Sequence, residues 1–264
     1  MMRKLLGVPM LLAVTLATSS LAQAETVTVA AASSLQFAMP ELVERFEAEH
    51  DDQVRVTYGA SGNLLRQIQQ GAPFEVFLSA DEARARTLED EGLSDGEGRT
   101  YALGRLVWLQ SKDRPLPNED DPLQVVRQAI AESSSGDSRL RIALANPEHA
   151  PYGLAAREVL EQADLWQDSE ALRIVGENVA QAAQFSLSAE AIGGFSAYSL
   201  VSSPELEGRA TWRLIPEQWH HPLVQRMVLV DGAGDGARAF FDFMQSPEAE
   251  EVLTRFGFSV PEAS

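Results

Sequence analysis

The chain has 264 residues, with 39 acidic and 21 basic side chains, a formal charge of −18 and no cysteine. So acidic a surface disfavours nucleic acid and anionic membrane as partners. Without cysteine there is no disulfide framework, no thiolate metal site and no lipid-bearing cysteine behind a leader.

In chain order, residues 1–24 have the form of a secretory signal peptide: Arg3 and Lys4, an apolar run over 5–16, and Ala22, Gln23 and Ala24 as a small-residue cleavage site. The run is short for a membrane span, so a soluble protein starting near Glu25 and exported to a bacterial periplasm is expected. The remaining ~240 residues suffice for one large domain or two of ordinary size.

Apolar residues 27–32 read as a buried strand ending at Ser33 and Ser34. Leu35, Met39, Leu42, Val43 and Phe46 then recur at helical spacing, with Pro40 set to kink that helix or delay its regular start. VRVTY (54–58) is a second strand, GASGN a turn, and LLRQIQQG a short helix closed by Gly71. PFEVFLSA (73–80) is a third strand, and DEARARTLEDEG (81–92) a helix with acids in its first turn and a glycine past its end. These apolar runs are continuous, as in a parallel sheet covered on both faces.

At RLVWLQ (105–110) the chain is expected to cross into a second domain, where the alternation repeats. The helix LQVVRQAIAE, the strand RIALA, the turn NPEHAPYG, the helix LAAREVLEQA and the strand LRIV follow one another. After them come the turn GENV, a helix ending at Leu187, and the strands GFSAY and ATWRLI. QRMVLV (225–230) is a further apolar strand, and helices over 237–244 and 247–256 complete the chain. The expected class is α/β in two lobes, each a mostly parallel sheet flanked by helices, joined by two crossing strands. Residues 25–104 with 222–264 form lobe 1, and 105–221 form lobe 2. Such a molecule closes like a hinge around a ligand.

Four turns share one pattern, in which a buried strand ends, small or hydroxyl residues follow and a helix begins: at Ser33 and Ser34, at Ser61, at Tyr152 and at Val179. Helix N-termini at the carboxyl ends of parallel strands offer unpaired N–H groups and positive dipole ends. Together with the hydroxyls they make a site for a small anion. Any one of the serines also suits a simple helix cap; the distribution over two lobes is what marks the set. None of the turns carries Lys or Arg, so the donors would be neutral and already aimed. Glu177 is the one acid near the fourth turn, beside Asn178; turned outward, it leaves a site that favours a fully ionised oxyanion.

Signals for catalysis are weak. GASGN and GFSAY contain Gly-x-Ser without completing GxSxG, which leaves a hydrolase using Ser61 or Ser196 poorly supported. His50, His149, His220 and His221 lack HExxH spacing, and DGAGDG (231–236) matches neither a dinucleotide fingerprint nor a calcium loop. Trp108, Trp166, Trp212 and Trp219 suit core or lobe-interface positions.

The series AAASSL, GASGNLLRQIQQGAPFEVFLSAD, ALANPEHAPYGLAAREVL, GENV and SPEAEEVLTRFGF resembles, in order and over nearly all of the mature chain, the periplasmic molybdate-binding proteins of ABC importers. The resemblance implies a two-lobe periplasmic binding protein fold of type II-like form. It also implies a monomer without catalysis or cofactor that delivers molybdate, and usually tungstate, to a membrane permease, the molybdenum being bound as molybdate and not as a bare cation. The family's donor positions fall on Ser34 with Ser33 beside it, Ser61, Tyr152 and Val179. A late tyrosine of the family falls at Ala197, with Tyr198 one residue on as a possible contributor, and the Tyr152 hydroxyl is placed to replace it. Sulfate, thiosulfate or another tetrahedral oxyanion is the alternative ligand.

Overall fold

A computed structural model describes residues 25–134 and 141–259; the expected signal peptide lies outside these residues. The chain begins with β1 (Thr26–Ala32), α1 (Met39–Glu49), β2 (Gln53–Gly59), α2 (Ser61–Gln69), β3 (Val76–Ser79), α3 (Glu82–Asp90) and β4 (Arg99–Gly104). It crosses to build β5 (Leu106–Ser111), α4 (Gln124–Ser134), β6 (Arg141–Ala145), α5 (Pro151–Gln162), β7 (Arg173–Gly176), α6 (Val179–Ser186), β8 (Ala191–Ala197), α7 (Tyr198–Val201) and β9 (Ala210–Leu214). It returns through β10 (Leu223–Leu229) to α8 (Asp235–Phe243) and α9 (Pro247–Arg255).

Strand β1 shows how the first lobe holds together. Its side chains alternate between two faces, as the strand period of two requires. Val27, Val29 and Ala31 pack with Leu42, Phe46 and Phe240, under α1 and α8. Ala30 packs on the opposite face with Leu64, Ile68 and Leu88, under α2 and α3. The second lobe has its own core, in which Trp108 is fully buried and meets Phe195 edge-on at 5.5 Å.

The sheets run β2-β1-β3-β10-β4 and β7-β6-β8-β5-β9. In the first, β1 is parallel to β2 and β3, while β10 is antiparallel to both β3 and β4. In the second, β6 is parallel to β7 and β8, while β5 is antiparallel to both β8 and β9. Four strands of each sheet therefore share one direction, and the reversed strand is the one that has just crossed from the other lobe. The α/β two-lobe class expected from the sequence is borne out.

Some elements depart from expectation. β4 was not anticipated: RTYALG carries only a short apolar run beside Arg99 and a closing glycine, and its place beside β10 at the sheet margin comes from tertiary pairing. Pro40 delays the helix and does not kink it. Residues 33–35 form a 3₁₀ turn and α1 starts at Met39, with Pro40 in its first turn, where a missing N–H costs nothing. Ser61 and Tyr152 were read in turns but lie in the first turns of α2 and α5.

Gly153 allows α5 to sit against the end of β6: a Cβ there would lie 2.3 Å from the Ala145 carbonyl oxygen, a backbone atom with little room to yield. Gly153→Ala is expected to cost about 1–3 kcal/mol through overpacking, read as a lowered urea-unfolding midpoint. An unchanged midpoint would contradict that close approach.

Candidate functional site

The ends of β1, β2 and β3 in one lobe face the beginnings of α5 and α6 in the other across a small cavity of ≈ 10 Å³. It is lined by residues 32–34, 59–61, Ala80, 150–152 and Val179. Ser33, Ser34, Ser61, Tyr152 and Val179 are thus brought together, each less than 5% exposed. A larger groove beside the β10 crossing adjoins this cavity, the two meeting at Pro151.

Each of the five lies where a strand gives way to a helix: directly after β1, two positions after the end of β2, three after the end of β7, and beyond a five-residue turn after β6. The first N–H groups of each helix are left without acceptors of their own. The backbone N–H groups of Ser34, Ser61, Tyr152 and Val179 stand at such positions. Asn178 caps α6 by accepting from Ala180 N–H and Gln181 N–H, both at 3.0 Å, and leaves the N–H of Val179 uncapped.

The hydroxyls are set as donors. Ser61 Oγ accepts the Ala80 N–H at 2.9 Å, which leaves its proton for another acceptor. Ser34 Oγ is buried without a hydrogen-bond partner of ordinary geometry. The Tyr152 hydroxyl accepts from Gln225 Nε2 at 3.0 Å, and the space it occupies exists because residue 104 is glycine: a Cβ there would come within 2.2 Å of it. No lining residue is charged. Glu177 is exposed, its backbone N–H donating to Gln181 Oε1, so it brings no carboxylate to the cavity.

The lobes are in contact around the cavity. Gly62 N–H donates to His149 O at 2.8 Å, and Ser199 Oγ donates to Ser34 O at 2.8 Å. Ser199 was missed in the sequence, where it is one serine among several in AYSLVSS; its role depends on a strand end from the other lobe. Tyr198 does not line the cavity. Its ring packs on Trp212 at 4.9 Å and its N–H donates to Arg105 O. The His149 ring lies 3.5 Å from an Arg66 nitrogen, and no imidazole hydrogen-bonds Ser61 or Ser196 among the described residues. No group of three or more acidic, cysteine or histidine side chains is arranged to hold a metal ion among the described residues.

The family model for bacterial extracellular solute-binding proteins matches residues 27–259. The chain belongs to that family. This solute-binding protein is 36% identical over 235 residues to the molybdate-binding protein ModA of Rhodobacter capsulatus, covering 87% of each chain. It is 33% identical over 243 residues to ModA of Azotobacter vinelandii, covering 90% of this chain and 92% of that one. The solved structure of the Azotobacter vinelandii periplasmic molybdate-binding protein superposes with a TM-score of 0.78 at 27% identity, over 89% of this chain and all (100%) of that one. The sulfate-binding protein SubI of Mycobacterium tuberculosis shares the fold, with a TM-score of 0.69 at 14% identity over 90% of this chain and 88% of that one. The resemblance to periplasmic molybdate-binding proteins read from the sequence is borne out.

Burial pushes the Tyr152 hydroxyl well above the usual tyrosine value, and the neighbouring Gln225, Ser34 and Ser199 offset only part of that rise. Burial raises Tyr101 in the same direction. A pKa raised on folding contributes stability that is complete below the unfolded value near 10 and is lost as pH climbs past it. Stability is therefore expected to fall above about pH 10, and less steeply in Tyr152→Phe than in the native protein. Denaturant unfolding across that range checks this, and parallel curves for the two proteins would contradict it.

Proposed function

We propose that the protein captures molybdate, and also tungstate, between its lobes in the periplasm and passes it to the membrane permease of an ABC importer. It acts as a monomer, without catalysis and without a cofactor. One observation carries this reading: a small, buried, uncharged cavity into which both lobes direct N–H and O–H donors, in a chain whose relatives are named for molybdate. A fully ionised tetrahedral dianion presents only acceptors, so a cavity of donors matches it atom for atom. The proposed ligand set is Ser33, Ser34, Ser61, Tyr152 and Val179, with Tyr198 left outside it because its ring is engaged by Trp212.

The proposed division is 25–104 with 222–264 as one lobe and 105–221 as the other. It is supported by the grouping of β1–β4 with β10 in one sheet and of β5–β9 in the other. Closure would bury the dianion, and the closed shape is what the permease would recognise. Discrimination against sulfate would come from cavity size, since both dianions accept the same hydrogen bonds and sulfate is the smaller tetrahedron.

Titration with molybdate, tungstate and sulfate, followed by calorimetry or tryptophan fluorescence, tests the assignment. Molybdate and tungstate are expected to bind more tightly than sulfate; the reverse order would overturn the ligand. Ser61→Ala should weaken molybdate binding by ~1.5–3 kcal/mol, the worth of a hydrogen bond to a charged group. Unchanged affinity would remove Ser61 from the site.

A further inference from the structure

We infer that Tyr101 and Gln225, neither of which lines the cavity, are positioning residues that fix the direction of the Tyr152 proton and so select a ligand that carries no proton of its own. The inference rests on the oxyanion reading above.

The three side chains form a buried relay that runs through β4, β10 and α5. Tyr101 is 1%, Gln225 0% and Tyr152 2% exposed. Tyr101 Oη donates to Gln225 Oε1 at 2.8 Å and also lies 3.1 Å from Ser79 O; Gln225 Nε2 donates to Tyr152 Oη at 3.0 Å. A tyrosine hydroxyl has one proton, and an amide has one end that only donates and one that only accepts. With Nε2 toward it, Tyr152 has to accept there, and its proton points away from the amide, to the side where Ser34 and Ser199 neighbour the hydroxyl. If the amide were turned round, Oε1 would take that proton, and Tyr152 would show the ligand a lone pair. The bond from Tyr101 to Oε1 favours the first orientation, because turning the amide would move the Tyr101 proton to the more distant Ser79 carbonyl, with Nε2 then donating to Tyr101 Oη. Gly104 is part of the same construction: a Cβ there would lie 2.2 Å from Tyr152 Oη and 2.6 Å from Gln225 Nε2.

The consequence concerns protonation at constant charge. Hydrogenarsenate is a tetrahedral dianion like molybdate, but one of its oxygens carries a proton that needs an acceptor. In the cavity, the Ser61 oxygen already receives the Ala80 N–H, the Tyr152 oxygen receives the Gln225 amide, and no carboxylate is present. The extra proton would have to go to a neutral hydroxyl such as Ser34, which would then turn its own proton away from the ligand.

The test compares two dissociation constants by calorimetry, for molybdate and for arsenate at a pH where arsenate is the hydrogen dianion. In Tyr101→Phe, a change of one oxygen outside the cavity, the amide is no longer held. Molybdate affinity is expected to fall by about tenfold, in proportion to one weakened hydrogen bond, and the arsenate-to-molybdate affinity ratio to rise several-fold. A merely structural role would lower both affinities together, and an unchanged ratio overturns the inference whatever happens to molybdate alone. Gln225→Met removes the relay outright and should move the ratio the same way, which keeps the test intact if the Tyr101 variant does not fold. If the native protein prefers sulfate to molybdate, the ligand assignment fails while the ratio against sulfate still tests the relay. A native protein that binds no oxyanion removes both.

Discussion

The structure depends on one constraint: polar groups that face a buried cavity with no charged side chain in its lining have to be aimed by the fold. Unsatisfied donors at such a place cost on the order of 1–3 kcal/mol each, so their positions are set by elements that are already rigid. That is why the donors sit on first helical turns and strand ends and not on long loops, and why the residues behind them are small. Ala32, Gly59, Ala60, Ala80 and Ala150 line the same cavity as the donors and add no bulk of their own.

The same constraint explains how the lobes meet. Gly62 N–H, beside Ser61, finds its acceptor in His149 O of the other lobe, and Ser34 O receives the Ser199 hydroxyl. A Cβ at Gly62 would stand 2.9 Å from His149 O, so the glycine permits the approach as well as supplying the N–H. Backbone groups that one lobe leaves open are thus closed by the other, next to the residues that face the cavity. Binding and closure act on the same helix ends, and a ligand that engages one N–H of α2 favours the arrangement in which its neighbour is also paired.

Much of this was legible in the sequence where a pattern is local. The passage from a strand to small residues to a helix marked the ends of β1, β2, β6 and β7, although β2 and β7 are sheet margins and mostly not buried. The crossing near Arg105 and the apolar run of β10 were visible for the same reason. What stayed hidden depends on partners far along the chain. β4 owes its place to β10, more than a hundred residues on, and Ser199 acquires its function from Ser34 O, 165 residues away. The departure at Tyr198 has a similar cause. The strand stops at Ala197 and a short helix begins, so the ring turns onto Trp212 and away from the cavity. Tyr152 was singled out for its hydroxyl, yet the Gln225 amide that orients it sits in a strand that reads only as apolar core.

The exchange of strands between the sheets bears on how the molecule comes apart. Each sheet is completed by a strand that has just arrived from the opposite lobe, inserted between two strands rather than added at a margin: β10 lies between β3 and β4, and β5 between β8 and β9. Unravelling either crossing strand therefore strips ladder bonds from both of its sides. Moving the lobes as bodies strips none, because each crossing strand is held on both sides within its own sheet, so the cleft can rock on its two crossings while both sheets stay whole.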